Sequence, residues 1–93
     1  MSKKTNILLV EDEESLAIGL EFNLIEEGYE VTHARDGKEA LEFYAGRNFD
    51  LIILDIMLPY VNGFEVAKKV RETNPQLPIL MLTGALDFFV FSA

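Results

Sequence analysis

The sequence predicts an α/β fold in which parallel strands alternate with helices around one sheet. Short apolar runs recur along the chain, and the stretches between them carry apolar residues at helical spacing. One run, residues 51–54 (LIIL), is apolar at every position, as in a central parallel strand covered by helices on both faces. These observations favour a doubly wound parallel sheet with right-handed crossovers.

Four strands are predicted from the apolar and alternating runs. The first is residues 5–10 (TNILLV), and the second is residues 29–34 (YEVTHA), which alternate like a half-buried strand. The third is the run at 51–54, and the fourth is residues 78–82 (PILML). Each run is short enough for a strand and too short for a stable helix.

Three helices are predicted between these strands. The first covers residues 15–27, and Gly28 follows at the position of a helix C-terminal glycine. Asp36 and Asn62 are predicted to cap the second and third helices, and Pro75 ends the third. The predicted order is therefore β1-α1-β2-α2-β3-α3-β4, followed by an apolar tail.

Composition limits the class of protein. A chain of 93 residues with 49% hydrophobic residues predicts one soluble domain. We expect it in the cytoplasm, because no apolar stretch could span a membrane and residues 1–6 (MSKKTN) lack the apolar core of a secretory signal. The lack of cysteine excludes disulfides and thiolate metal sites. The net charge of −8 opposes nucleic-acid binding and favours a cationic partner.

Three carboxylates lie at predicted strand ends. In a flavodoxin-like order, β2 and β3 flank β1, and a crevice opens between the carboxyl ends of β1 and β3. Those ends carry Glu11, Asp12 and Asp55. Close carboxylates repel one another, so the arrangement predicts a bound divalent cation, and hard oxygen ligands suit Mg²⁺. The alternative, a solvent-facing or helix-capping role, is favoured for Glu11 taken alone. It is weak for Asp55, which closes an apolar run.

Three segments resemble the receiver domain of bacterial two-component response regulators. They are ILLVEDE (7–13), LIILDIMLPYVNGFEV (51–66) and PILMLTG (78–84), and they are most similar to receivers of DNA-binding transcriptional regulators. The separations of Asp12, Asp55 and Thr83 match that family as well. Three ordered motifs on the expected elements make the resemblance specific. It implies a CheY-like fold over about the first 84 residues.

The resemblance implies a role for each matched residue. Asp55 corresponds to the phosphoacceptor, which takes a phosphoryl group from a sensor histidine kinase or a small phosphodonor. Asp12 corresponds to the direct Mg²⁺ ligand, and Glu11 to a ligand that acts largely through water. Met57 corresponds to the residue whose backbone carbonyl completes the coordination, and Thr83 to the switch hydroxyl. The chain is thus expected to be a phosphoacceptor and not an enzyme, capable at most of phosphorylating itself from small donors.

Three residues near these positions are predicted to have supporting or unrelated roles. Pro59 and Gly63 shape the loop after Asp55, either so that backbone groups approach a metal and phosphate or as ordinary turn residues. His33 is predicted to be a solvent-facing surface residue and not a ligand.

The end of the chain departs from the family pattern. A complete receiver continues beyond β4 and carries a lysine that contacts the phosphoryl group, whereas this sequence has no lysine after Lys69. We therefore predict a partial receiver domain over residues 1–84 and an atypical apolar association tail over residues 85–93. Without a fifth strand, β4 is expected to be an open apolar edge. We expect a homodimer or larger assembly in which β4 edges pair or tails are exchanged, the alternative being a disordered tail.

Two other functions stay open at this point. One is a truncated or engineered receiver fragment that cannot signal and mainly associates with itself. The other is an unrelated flavodoxin-like binder of a small ligand. The second is disfavoured, because the residues after β1 (EDEES) contain no glycine-rich phosphate loop.

Overall fold

The computed structural model describes residues 3–82 and 88–91 of the chain. Within these residues, strands and helices alternate as predicted as far as β4, and a further strand follows. The elements are β1 (Asn6–Val10), α1 (Glu14–Glu26), β2 (Glu30–Ala34), α2 (Gly37–Gly46), β3 (Leu51–Asp55), α3 (Gly63–Thr73), β4 (Ile79–Leu82) and β5 (Phe88–Phe91).

The strands form one sheet in the order β2-β1-β3-β4-β5. The first four strands are parallel, and β2 and β3 lie on opposite sides of β1. The predicted α/β architecture and flavodoxin-like order are therefore confirmed. No helix in the described part of the chain is long and apolar enough to cross a membrane.

The predicted open edge of β4 was wrong. Residues 88–91 of the tail form β5, which pairs with β4 in antiparallel register from Leu82 opposite Phe88 to Ile79 opposite Phe91. An apolar strand with unpaired N–H and C=O groups accepts an extended segment that can reach it, and here the chain's own tail does so. The backbone hydrogen bonds of β4 are thus satisfied on both sides within one chain.

The core lies on both faces of the sheet, because successive strand residues point to opposite sides. The larger cluster packs under α2 and α3, and it includes Leu8, Ile52 and Leu54. The smaller cluster packs under α1, and its buried members are Ile7, Leu9, Ile53 and Leu82. Because β1 and β3 contribute to both clusters, these two strands are fixed firmly from both sides.

The helix starts follow the predicted capping pattern. Asp36 Oδ1 accepts a hydrogen bond from the Glu39 N–H at 2.8 Å, and Asn62 Oδ1 accepts one from the Glu65 N–H at 3.0 Å. Each side chain satisfies a backbone donor that the first turn of a helix leaves free. The two helices that flank the acidic end of the sheet therefore begin at fixed positions.

Candidate metal and phosphoacceptor site

The parallel pairing of β1 and β3 places the predicted acids side by side. Val10 lies opposite Leu54 in the sheet register, so the chain reaches Glu11 and Asp55 at the same edge. Carboxylate oxygens of Glu11, Asp12 and Asp55 all lie within 4.8 Å of one another. The structure therefore brings together the three acids that the sequence predicted would meet.

Glu11 is the buried member of this group, with a relative exposure of 1%. Its Oε2 accepts a hydrogen bond from the Glu13 N–H at 3.0 Å, while its Oε1 is buried without a hydrogen-bond partner among the described residues. Burial raises the pKa of Glu11, the hydrogen bond from the Glu13 N–H lowers it, and the negative charges of Asp55 and Asp12 raise it, so that together they move it from 4.5 to about 7. The solvent-facing alternative for Glu11 was therefore wrong.

Asp12 and Asp55 are more accessible than Glu11, since Asp12 is exposed and Asp55 is half-buried. Asp55 Oδ1 accepts a hydrogen bond from the Met57 N–H at 3.0 Å, which fixes the orientation of the carboxylate. The site is thus a buried acid with two reachable acids in front of it. A group that must react with a partner from solution has to be reachable in this way.

The loop after β3 is closed by backbone hydrogen bonds. The Gly63 N–H donates to the Ile56 carbonyl at 2.9 Å, and the Val61 N–H donates to the Pro59 carbonyl at 2.8 Å. A Cβ at Gly63 would collide with the Asp55 carbonyl and lie 2.7 Å from the Ile56 Cα, so glycine is required here for close approach. The left-handed residue of this loop is Tyr60, with φ of 69°.

Sequence reasoning missed the contact of His33. This side chain is partly buried, and its Nε2 lies 2.8 Å from the backbone carbonyl of Glu11, at hydrogen-bonding distance. Because Glu11 also donates its N–H to the Ala34 carbonyl at 3.0 Å, β2 holds the backbone of Glu11 from two directions. The prediction of a solvent-facing His33 was wrong. It was based on the regular alternation of residues along β2, which does not show this contact.

The remaining site predictions concern single residues. The side chain of Met57 is 78% exposed, and its amide contacts Asp55 as described above. Thr83, predicted to be the switch hydroxyl, lies outside the described residues.

Comparison with known proteins identifies the family. The family model described as the response regulator receiver domain matches residues 7–91 of this chain. The chain belongs to the response regulator receiver family. It is 49% identical over 89 residues to the alkaline phosphatase synthesis transcriptional regulatory protein PhoP of Bacillus subtilis, covering 96% of this chain and 36% of PhoP. It thus spans about a third of the length of this curated relative.

Solved structures show the same fold. The response regulator TrrA from Thermotoga maritima, in complex with Mg²⁺ and BeF, has a TM-score of 0.78 and 41% identity, covering 81% of this chain and 65% of TrrA. The chemotaxis protein CheY4 of Vibrio cholerae has a TM-score of 0.82 and 37% identity, covering 88% of this chain and 72% of CheY4. Both the sequence matches and the structural matches therefore support the receiver assignment.

Receiver domains are signalling phosphoacceptors that bind Mg²⁺ in an acidic pocket. The chemistry of the residues at this site is suited to such an ion. Glu11, Asp12 and Asp55 offer hard oxygen donors that cluster within 4.8 Å, and the buried Oε1 of Glu11 has no hydrogen-bond partner in the described part of the chain. A cation would satisfy that oxygen and reduce the mutual repulsion of the three acids.

Proposed function

We propose that this receiver accepts a phosphoryl group on Asp55 from a phosphohistidine of a sensor histidine kinase in the cytoplasm. The observation that carries the proposal is the cluster of three carboxylates at the ends of β1 and β3, which includes the buried, unpartnered Oε1 of Glu11. A structural role alone does not account for this burial, because an isolated buried carboxylate is destabilising.

The proposed chemistry starts from the free carboxylate of Asp55. One of its oxygens attacks phosphorus, the P–N bond of the phosphohistidine breaks, and the imidazole leaves with the electron pair of that bond. The product is an acyl phosphate on Asp55. The Met57 N–H holds Oδ1 at 3.0 Å, so the carboxylate is already oriented before the donor arrives.

Glu11, Asp12, Asp55 and the backbone carbonyl of Met57 are proposed to hold Mg²⁺. When bound, the ion supplies positive charge that offsets the charge of the carboxylates and of the incoming phosphoryl group. Asp12 contributes an accessible oxygen as the direct ligand, and Glu11 contributes its unpartnered buried oxygen largely through water. Thr83 is proposed to be the hydroxyl that responds to the new phosphoryl group.

Incubation with acetyl phosphate and Mg²⁺ tests this function. Intact mass spectrometry is expected to show one added phosphoryl group on the natural chain and none on Asp55→Asn. Asp50→Asn is a matched control, because Asp50 precedes the same strand at its other end and accepts a hydrogen bond from the Asn6 N–H at 2.8 Å. Loss of the added mass in Asp50→Asn as well as Asp55→Asn, or its survival in Asp55→Asn, would refute the assignment.

We also propose, as a second candidate, that the chain associates with itself and signals poorly or not at all. Two observations support this: β5 has a neighbour on one side only in the described sheet, and α1 exposes Ile18, Phe22 and Ile25. Exchange of tails, with β5 of one copy on β4 of another, would preserve the backbone pairing seen within one chain. Residues 85–93 would then act as an association segment.

Light scattering over a range of concentrations tests self-association. The natural chain is expected to exceed monomer mass, and Val90→Pro, which removes a backbone donor from β5, is expected to return it to monomer mass. Phe64→Ser, at a 47% exposed position on α3 that takes no part in the proposed association, is the control and should leave the mass unchanged. A folded monomer at all concentrations would exclude this second candidate and leave the phosphoacceptor proposal untouched.

A further inference from the structure

Gly37, the first residue of α2, lies so close to the loop after β3 that a residue with a Cβ would collide with it. An ideal Cβ at Gly37 would lie 2.6 Å from the Val61 carbonyl oxygen, 2.8 Å from the Val61 Cβ and 3.0 Å from the Val66 Cγ2. Its φ is outside the left-handed range, so the backbone there would accept alanine. Alanine is also the better helix former by about 1 kcal/mol. The demand for glycine at this position therefore comes from the contact alone.

The helix side of this contact cannot easily retreat. Asp36 and Glu39 cap the start of α2, since Asp36 Oδ1 accepts from the Glu39 N–H and Glu39 Oε1 accepts from the Arg35 N–H, both at 2.8 Å. The preceding strand is anchored too, because the Ala34 carbonyl accepts the Glu11 N–H. We therefore expect an atom added at Gly37 to displace the loop more than the start of α2.

The loop side of the contact leads directly to the site. The nearest atom to Gly37 is a backbone oxygen, so no change of side-chain conformation at Val61 relieves the collision. The hydrogen bond from the Gly63 N–H to the Ile56 carbonyl closes the loop into one hydrogen-bonded unit. Within that unit lies Met57, whose N–H holds Asp55 Oδ1.

We infer that Gly37 is a positioning residue, which seats the loop of residues 56–63 so that Met57 orients the Asp55 carboxylate and presents its carbonyl to Mg²⁺. The inference rests on the proposed function for its metal readout. It also has a readout that needs no metal, namely the environment of the Met57 amide.

The principal variant is Gly37→Ala, and Gly46→Ala is its matched control. Gly46 ends the same helix, and a Cβ there would meet nothing within 4 Å. In metal-free protein, ¹H–¹⁵N spectra of Gly37→Ala are expected to show a shifted Met57 amide, while those of Gly46→Ala keep it. Calorimetric titration with MgCl₂ is expected to give a Kd at least threefold weaker for Gly37→Ala only.

A second pair of variants covers the case in which Gly37→Ala does not fold. Val61→Gly removes the side chain whose Cβ would lie 2.8 Å from a Cβ added at Gly37, and it is expected to shift the Met57 amide and weaken Mg²⁺ binding. Tyr60→Gly places a glycine in the same loop at a left-handed, 91% exposed position, so it should leave Mg²⁺ affinity unchanged.

The outcomes separate the two proposals. A purely structural role for Gly37 would lower the melting temperature and leave both the Met57 amide of the folded protein and the Kd for Mg²⁺ unchanged, and this result would overturn the inference. A natural chain that binds no Mg²⁺ would refute the metal part of the proposed function, while the Met57 amide would still decide the role of Gly37.

Discussion

The middles and the carboxyl ends of β1 and β3 follow opposite physical rules. In the middles, Leu8, Ile52 and Leu54 have no exposed surface, and burial of such side chains stabilises the fold. At the ends, three carboxylates converge and one of them is buried. Gathering like charges opposes folding in the absence of a cation. A few residues along one strand therefore separate the part that supports the fold from the part that the proposed function needs.

The largest expected effect concerns the strand middles. Ile52→Ala, at a fully buried position, is expected to lower the free energy of unfolding by about 2–5 kcal/mol, because it removes buried methyl groups and leaves a cavity. Urea denaturation measures this loss. Ile18→Ala is the same substitution on α1 at a position that is 59% exposed, and it is expected to cost less than about 1 kcal/mol. Equal losses would mean that the core is not where the burial places it.

The second effect concerns the strand ends and depends on pH. The pKa of Glu11 is about 7 in the folded chain against an ordinary value of 4.5, so between these values the folded chain keeps a proton that the unfolded chain has lost. The free energy of unfolding of metal-free protein should therefore fall as pH rises from about 4.5 to 7, by on the order of 3 kcal/mol at most. The pKa of Glu13 is lowered from its ordinary value of 4.5, so Glu13 changes the free energy of unfolding only below this pH range.

Glu11→Gln is the control for the pH effect, since glutamine keeps the shape of the side chain and carries no titrating proton. Denaturation curves of this variant at several pH values should lose the slope. Saturating Mg²⁺ should also flatten the slope in the natural chain, because the cation favours the charged form of Glu11. A natural chain whose stability rises through this pH range would contradict the buried placement of Glu11.

The smallest expected effect on stability comes from Asp12, which is exposed. Asp12→Asn should stabilise the metal-free chain above pH 7 by less than about 1 kcal/mol, because it removes one charge that repels Glu11 across solvent. Mg²⁺ affinity, measured by calorimetry, should fall at least tenfold in the same variant. Asp50→Asn, at the opposite end of β3, should leave the Mg²⁺ affinity unchanged. A stabilised variant with full Mg²⁺ affinity would remove Asp12 from the proposed ligand set.

Much of this contrast could be predicted from the sequence. The apolar run LIIL followed by Asp55 marks the change from strand middle to strand end, and the alternation of strands and helices predicts a parallel sheet, for which the flavodoxin-like strand order is one of two common choices. The caps at Asp36 and Asn62 were predicted because a short polar side chain before an apolar helical pattern satisfies free N–H groups. These features depend on local sequence or on the order of elements along the chain, and both can be derived from a single sequence.

Contacts between distant segments could not be predicted in the same way. The pairing of β5 with β4 depends on a four-residue segment reaching an edge in space, and its sequence, FFVF, does not specify a partner or a direction. The burial of Glu11 depends on its neighbours in space, namely β2, which holds its backbone through Ala34 and His33, and Asp55 at the end of β3. The hydrogen bond from His33 to the Glu11 carbonyl is a consequence of strand register, which alternation alone does not fix.

The antiparallel direction of β5 has a practical consequence for work on this protein. Phe88 lies beside Leu82, which is itself the partner of Asp55 in the sheet, whereas Phe91 lies beside Ile79 at the far end of the strand. The polypeptide thus runs away from the acids as it passes along β5. A fluorescent label or immobilisation tag joined after Phe91 would begin on the side of the sheet remote from Asp55, leaving the approach of a phosphodonor unobstructed.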